Sequence, residues 1–344
     1  MNSRYLNILK EIKNRANEVE NTSKDSRVLI VDGLNTFIRS YAASPVTNDD
    51  GEHVGGISGF LLSVGHAIKA INPTRLIIVF DGKNGSSRRR QIYPEYKAHR
   101  NFKVRLNRAE TVDKQDNQME QLLRLRDYLG VLPLTITVCD NTEADDVVAY
   151  MVNDHFQESQ CFIMSSDKDF LQLITDRVHV WSPTKKKLYY DEDVFEEYGV
   201  HANNFALYKA IIGDPSDNIP GVDGIGAKTL IKRFPIIQQT DKVDVTTFME
   251  YVNNLNDKTK TLQTMKASQE LIERNMQLVQ LSESNMSVTN KLKVQNLIDQ
   301  PIQRLAKPTF HKMLIEDKMT TAIKNVDYWL KEVAQKLDMY ALQG

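Results

Sequence analysis

The sequence predicts an α/β protein with a doubly wound, mainly parallel sheet. Near-continuous apolar, β-branched runs recur through the first 190 residues, the pattern of strands buried on both faces. Helical stretches alternate with them, as in a parallel sheet covered on both sides. Two of the runs, "RVLIVDG" and "TRLIIVFDG", also share one design and end in Asp-Gly.

Residues 1–26 read as a polar, weakly amphipathic helical extension closed by a Ser/Asp break. Strands are expected at 27–33, 74–82, 134–140 and 161–169, with a shorter one at 178–183. Helices are expected at 57–71, 110–129, 143–157 and 168–174. After about 190 the strands stop. "DEDVFEEYGVHANNFALYKAIIGD" reads as two short helices, and "GVDGIGAKTLIKRF" (221–234) as a glycine-punctuated turn opening into a helix. Residues 241–344 look helical, polar and glycine-poor, without a repeat. No Pro- or Gly-rich linker divides the chain. The expected organisation is an extension over 1–26, an α/β core over 27–190 and a helical region over 191–344.

Composition excludes several classes. At 344 residues, 41% hydrophobic and 26% charged, the chain has ordinary globular values. No apolar run reaches membrane-spanning length, and the N-terminus lacks the apolar core of a signal peptide. Cys139 and Cys161 form no CxxC pair and no disulfide framework, which fits a reducing cytosol and burial. The seven histidines show no HExxH-like spacing, which argues against a histidine zinc site. Net charge is −1, but it hides local separation. From 83 to 108 the basic residues are Lys83, Arg88, Arg89, Arg90, Lys97, Arg100, Lys103, Arg105 and Arg108, against the single acid Glu95.

The acids follow the strands. Asp32 and Asp81 end the first two, and Glu143, Asp145 and Asp146 open the helix after the third. Asp167 and Asp169 end the fourth. A solvated helix N-terminus capped by Thr142 would explain "EADD" alone, but not the other three segments. In a doubly wound sheet the carboxyl ends of the strands share one edge, where ligands bind. So many carboxylates need counter-charge, and hard divalent cations are the natural partner. Magnesium takes a few carboxylates and leaves positions for phosphate oxygens. Two such ions about 4 Å apart can activate a water and stabilise a leaving oxygen. "GDPSDN" adds Asp214 and Asp217; alone it reads as a turn.

"GVDGIGAK" places Gly221, Gly224 and Gly226 before Lys228. Such glycines let a backbone approach phosphate at a helix N-terminus, and Lys228 adds a point charge. The pattern resembles a helix-hairpin-helix, about 203–235, which holds duplex backbone without reading sequence. It is neither a P-loop nor a dinucleotide fingerprint. The basic stretch interleaves its cations with Tyr93, Tyr96 and Phe102, a composition that suits single-stranded nucleic acid; its bland alternative is a solvated basic face.

"LIVDGLN", "VFDGK", "YPEYKAHR", "EADD", "SSDKDFLQL" and "GDPSDNIPGVDGIGAKT" occur in that order. Together they resemble the 5′-nuclease family: the 5′-to-3′ exonuclease domain of bacterial DNA polymerase I, bacteriophage 5′-exonucleases, phage ribonuclease H and flap endonucleases. The match covers roughly residues 27–235 and resembles the bacterial and phage branch. The resemblance implies a PIN-like fold, a basic helical arch at about 83–112, and two or three magnesium ions, with manganese as a substitute. It also implies a potassium ion at the helix-hairpin-helix. The implied reaction is hydrolysis of DNA or RNA–DNA near the junction where a 5′ single strand leaves a duplex, in replication and repair.

Carried over by motif, Asp81, Glu143, Asp145, Asp146, Asp167 and Asp169 form the tighter metal site. Asp214 and Asp217 complete the second, with Asp32 beside them. Lys97 and Arg39 act on the scissile phosphate, and Tyr96 stacks a base. Arg88, Arg89, Arg90 and Arg100 contact the nucleic acid, Arg88 to Arg90 by steering the free strand. The resemblance implies a monomer in the cytoplasm, or in the host cytoplasm for a phage protein, with single-strand-binding protein among its partners and no membrane. No polymerase module is apparent. Residues 1–26 and the tail after about 240 match no family pattern. Two alternatives stay open: a non-catalytic junction-binding protein of the same fold, and a PIN-type ribonuclease.

Overall fold

The computed structural model describes residues 23–98, 114–281 and 285–341. Five strands form the parallel part of one sheet: β1 (Arg27–Asp32), β2 (Arg75–Asp81), β3 (Thr135–Cys139), β4 (Gln160–Met164) and β5 (Val178–Ser182). The apolar runs put them there, because β1 and the first five residues of β2 are buried throughout. A sixth strand, β6 (Lys187–Tyr189), pairs antiparallel with β5 and was not expected from sequence. The strand order is β3-β2-β1-β4-β5-β6, so the chain reverses direction across the sheet between β1 and β4. Doubly wound sheets bind ligands at such a switch point.

Helices cover both faces. Alternate residues of β1 divide between them: Leu29 and Val31 face one core, Val28 and Ile30 the other. On the first face lie α1 (Gly33–Ala43), α2 (Gly55–Ile71) and α4 (Lys114–Leu129). On the second lie α5 (Ala144–Tyr150) and α7 (Ala202–Ile212), reached through α6 (Asp191–Tyr198). The helix expected over 143–157 is shorter: α5 gives way to a π-helical turn at Met151–His155. Residues 168–173 form a 3-10 helix. A short helix, α3 (Ser87–Ile92), opens the basic stretch. The rest of the expected arch from residue 99, Arg100 and Phe102 included, lies outside the described residues, as do residues 1–22 of the N-terminal extension.

After 190, α6 and α7 match the two short helices expected. Two small strands do not: β7 (Gly213–Asp214) and β8 (Ile219–Pro220) form an antiparallel ladder around "PSDN". A Cβ on Gly221 would come within 2.2 Å of the Ile212 carbonyl oxygen, so only glycine allows that crossing. α8 (Ala227–Arg233) follows the glycine turn. The tail is helical: α9 (Val245–Asn254), α10 (Lys260–Lys266), α11 (Gln269–Val279), α12 (Val288–Asp299), α13 (Lys307–Glu316), α14 (Val326–Leu330) and α15 (Lys336–Ala341). Part of it braces the strand ends. Asn275 on α11 donates to the carbonyls of Ala210 and Pro220, at 2.9 and 2.7 Å, tying α7 to β8. On α12, Asn290 reaches the Asp140 carbonyl and Lys293 the Val138 carbonyl, so the exposed edge of β3 is capped. Cys139 and Cys161 are buried and free. No described helix is long and apolar enough to cross a membrane.

Candidate active site

The strand ends bring the acids together in two linked groups. Asp32 ends β1 and caps α1: it accepts from the Asn35 N–H at 3.1 Å and from the Ser165 hydroxyl at 2.9 Å. Ser165 Oγ in turn accepts from the Asp167 N–H, and Asp167 from the Asp169 N–H, each at 3.0 Å. Asp145, in the first turn of α5, faces this group. Burial, then the nearby Asp167 carboxylate, pushes its pKa well up. Burial pushes Asp32 up to about 7 against its two hydrogen bonds, and Asp81 and Asp167 add to the rise. Asp81 is exposed and accepts from the Ala144 N–H at 2.9 Å.

Asp169, Asp214 and Asp217 form the second group, each offering an oxygen within 4.8 Å of the others'. The motif carry-over set Asp169 with the tighter site, whereas the structure turns it towards the "GDPSDN" pair. Lys209, five residues before Asp214 on α7, bonds both Asp169 and Asp214, the latter at 2.5 Å. Sequence reading missed it, because a spacing of five across a helix end is not a helical pairing pattern. Even beside this cation, burial and the Asp167 carboxylate hold Asp169 up at about 7.

Both groups suit a divalent cation. They are oxygen-only donors, and in three of the acids, Asp32, Asp145 and Asp169, burial and neighbouring carboxylates raise the pKa, a repulsion that a bound cation would relieve.

Glu143 and Asp146 are handled differently. Glu143 accepts from Lys97 at 2.9 Å, Arg89 at 2.8 Å and the Ser86 hydroxyl at 2.5 Å. Burial raises its pKa, but Lys97 and then Arg89 bring it down to about 2. Asp146 turns from the edge to a bidentate pair with Arg89, at 2.7 and 2.9 Å, and accepts from Asn285 at 3.2 Å. The structure therefore does not present Asp146 with the other expected ligands. Arg89 departs from expectation in the same way. It is 5% exposed, and its Nε bonds the Leu278 carbonyl at 2.8 Å, so it is a buried anchor instead of a strand-steering surface.

Tyr96, read as a base-stacking residue, is 3% exposed. Its hydroxyl lies 3.2 Å from both Glu143 and Asp217. Arg88 and Arg90 are exposed. Lys97 projects among the acids, with Asp217 at 3.8 Å besides Glu143. Arg39 lies two turns into α1 and donates to Ser63 at 2.7 Å. In the glycine turn, Gly224 has φ +69° and Gly226 faces open space, while Lys228 is exposed at the start of α8.

An acid-lined strand edge with cations set among the carboxylates, on this fold, has the chemistry of a site that can bind divalent cations and act on phosphate. The family model for the 5′-3′ exonuclease, N-terminal resolvase-like domain, matches residues 27–199. The chain is 33% identical over 222 residues to the 5′-3′ exonuclease of Buchnera aphidicola subsp. Schizaphis graminum, covering 63% of this chain and 73% of that protein. It is 36% identical over 208 residues to the thermostable DNA polymerase I of Thermus thermophilus, covering 60% of this chain but only 23% of the polymerase's length. The structure of the bacteriophage T5 flap endonuclease in complex with DNA and metal ions matches with a TM-score of 0.58 at 27% identity, covering 85% of this chain and 98% of that one. Flap endonuclease-1 from Methanococcus jannaschii shares the fold, with a TM-score of 0.52 at 16% identity over 94% of this chain and 96% of that one. The chain belongs to the 5′-3′ exonuclease family.

Proposed function

We propose that this protein is a magnesium-dependent, structure-specific 5′ nuclease. It would cut phosphodiesters of DNA, or of RNA paired to DNA, where a 5′ single strand leaves a duplex. The observation that carries this reading is the convergence of two carboxylate groups on one strand edge, Asp32, Asp145 and Asp167 beside Asp169, Asp214 and Asp217. These six, with Asp81, are the residues that would hold magnesium, or manganese in its place. When bound, the metal supplies charge neutralisation and an activated water.

The chain's own groups do the rest. The Lys97 ammonium is set to offset charge developing on the scissile phosphate. Ser165 and the Asn35 N–H orient Asp32, and Lys209 holds Asp169 and Asp214 together. Gly226 and Lys228 anchor the duplex by its backbone, without base readout.

The test is cleavage of a 5′-flap duplex. With magnesium, cleavage near the junction is expected, together with a higher melting temperature than in EDTA, by linkage. EDTA should abolish cleavage. Robust cleavage in EDTA would overturn the metal reading. Binding of the flap without cleavage in magnesium or manganese would leave a junction-binding protein.

A second expected result separates anchoring from chemistry. A Cβ at Gly226 meets nothing within 4 Å. Gly226→Val should therefore cost at most about 1 kcal/mol of stability at this helix N-cap, yet block approach of a duplex phosphate. Affinity for duplex-containing substrates should fall while a short single strand binds as before. Equal losses on both in a binding titration would refute duplex anchoring.

A further inference from the structure

The second carboxylate group is drawn from two separate pieces of chain. Asp169 stands on the 3-10 helix that follows β4, whereas Asp214 and Asp217 stand on the segment that runs from β7 to β8. The shape of the group therefore depends on how those two pieces are held relative to each other. Their like charges oppose the assembly, and the β7–β8 ladder has only two residues a side, too few to hold a loop unaided. Pro220 also has no N–H to give to that ladder.

Both pieces are tied to α11, in the tail. Asn275 is 0% exposed. Its amide nitrogen donates to the Pro220 carbonyl on β8 at 2.7 Å and to the Ala210 carbonyl on α7 at 2.9 Å. Its oxygen accepts from Arg274 at 2.9 Å. Two carbonyls on one side and a cation on the other leave the amide a single satisfied orientation. Four residues on, about 6 Å along the helix axis, the Val279 carbonyl accepts from the Gln172 amide at 3.0 Å. That same Gln172 nitrogen donates to the carbonyl of Asp169 itself at 2.8 Å, and the Gln172 oxygen accepts from the Leu281 N–H at 2.8 Å. One turn of α11 thus reaches both halves of the group.

The loop is held from its other side as well. The Lys97 N–H donates to the Asp217 carbonyl at 2.9 Å, and the Asn218 amide to the Glu95 carbonyl at 2.8 Å. It therefore lies between α11 and the segment that carries Lys97.

We infer that α11 is a brace that sets the spacing of Asp169 from Asp214 and Asp217, with Asn275 and Gln172 as positioning residues. Each reaches the group through main-chain carbonyls, so each acts on the carboxylates through the backbone that carries them. The inference rests on the metal reading above. Losing such an outer contact commonly weakens metal binding or activity by about 10- to 100-fold.

Asn204 supplies the control. It too is 0% exposed, donates to two carbonyls, those of Gln239 and Asp241, and accepts from the Val243 N–H. Its partners follow α8 and carry none of the acids. Metal-free protein is titrated with manganese, read from the EPR signal of the free ion with no substrate present. Asn275→Ala should weaken the weaker-bound ion on the order of tenfold, and Gln172→Ala should weaken it in the same direction. Asn204→Ala should melt lower than wild type yet bind manganese as wild type does. In flap cleavage, both brace variants should regain most of their rate in excess magnesium. Unchanged manganese affinity in both brace variants, or an equal weakening in Asn204→Ala, overturns the brace. Should Asn275→Ala melt below the assay temperature, Gln172→Ala, at a half-buried position, decides alone. Wild-type protein that binds no manganese would sink the metal reading instead.

Discussion

Arg89→Ala is expected to cost about 3–5 kcal/mol of folding stability, the usual loss when one partner of a buried ion pair is removed. Its guanidinium pairs with Glu143 and doubly with Asp146, and all three side chains are under 7% exposed. Truncation leaves Asp146 away from water without its cation, and Glu143 with Lys97 alone. It also cuts the tie from α3 to the Leu278 carbonyl, through which α11 is held. The neighbours make the control. Arg88→Ala and Arg90→Ala, at exposed positions of the same helix, should change stability by no more than about 0.5 kcal/mol.

The pH dependence has a fixed sign. Glu143 sits at about 2 in the fold against an ordinary 4.5. Its ion pairs therefore contribute above 4.5 and are lost as pH falls towards 2. The gap between wild type and Arg89→Ala, read from urea melts, should narrow over that window. A variant that melts with wild type at neutral pH would show that Arg89 is not an anchor.

Arg89 also marks where the sequence stops being legible. The parallel strands were readable because burial on both faces leaves unbroken apolar runs, as in "RVLIVD" and "RLIIVFD". Their acids were readable because parallel topology alone sends every strand's carboxyl end to one edge. Which way a helical side chain then turns is a different question. Successive residues on a helix point about 100° apart, so Asp145 faces the edge while Asp146 faces Arg89. Likewise the middle of three consecutive arginines goes inward and its neighbours stay in water. Composition cannot separate such adjacent residues; packing partners can, and here they arrive from Leu278 and Asn285, nearly 200 residues away in the case of Leu278. Tyr96 shows the same limit, since an aromatic in a basic run reads as a stacking surface until its hydroxyl is seen between Glu143 and Asp217. Strand β6 has three residues and β7 and β8 two each, too short to carry a period.

Lys97→Ala should lower single-turnover cleavage on the order of a hundredfold, the scale for losing one preorganised charge donor, with little change in equilibrium affinity. The structure holds this lysine rigidly. Its backbone sits at φ +55°, its N–H donates to the Asp217 carbonyl at 2.9 Å, and its ammonium lies 2.9 Å from Glu143 and 4.9 Å from the Tyr96 ring centre. A steering residue would instead be exposed, as Arg88 is.

Two routes could produce the loss, and pH separates them. If Lys97 acts by keeping Glu143 ionised, its removal lets burial push that carboxyl's pKa up, opposed by Arg89 and Ser86. The defect should then deepen in acid and recover as pH rises. If the ammonium acts on charge developing at the phosphate, the rate stays low across the whole range, because raising pH returns no cation. We expect the second pattern, since Arg89 remains at 2.8 Å from Glu143 to hold it charged. A variant that loses affinity while keeping its single-turnover rate would move Lys97 out of the catalytic group and onto the surface that guides the strand.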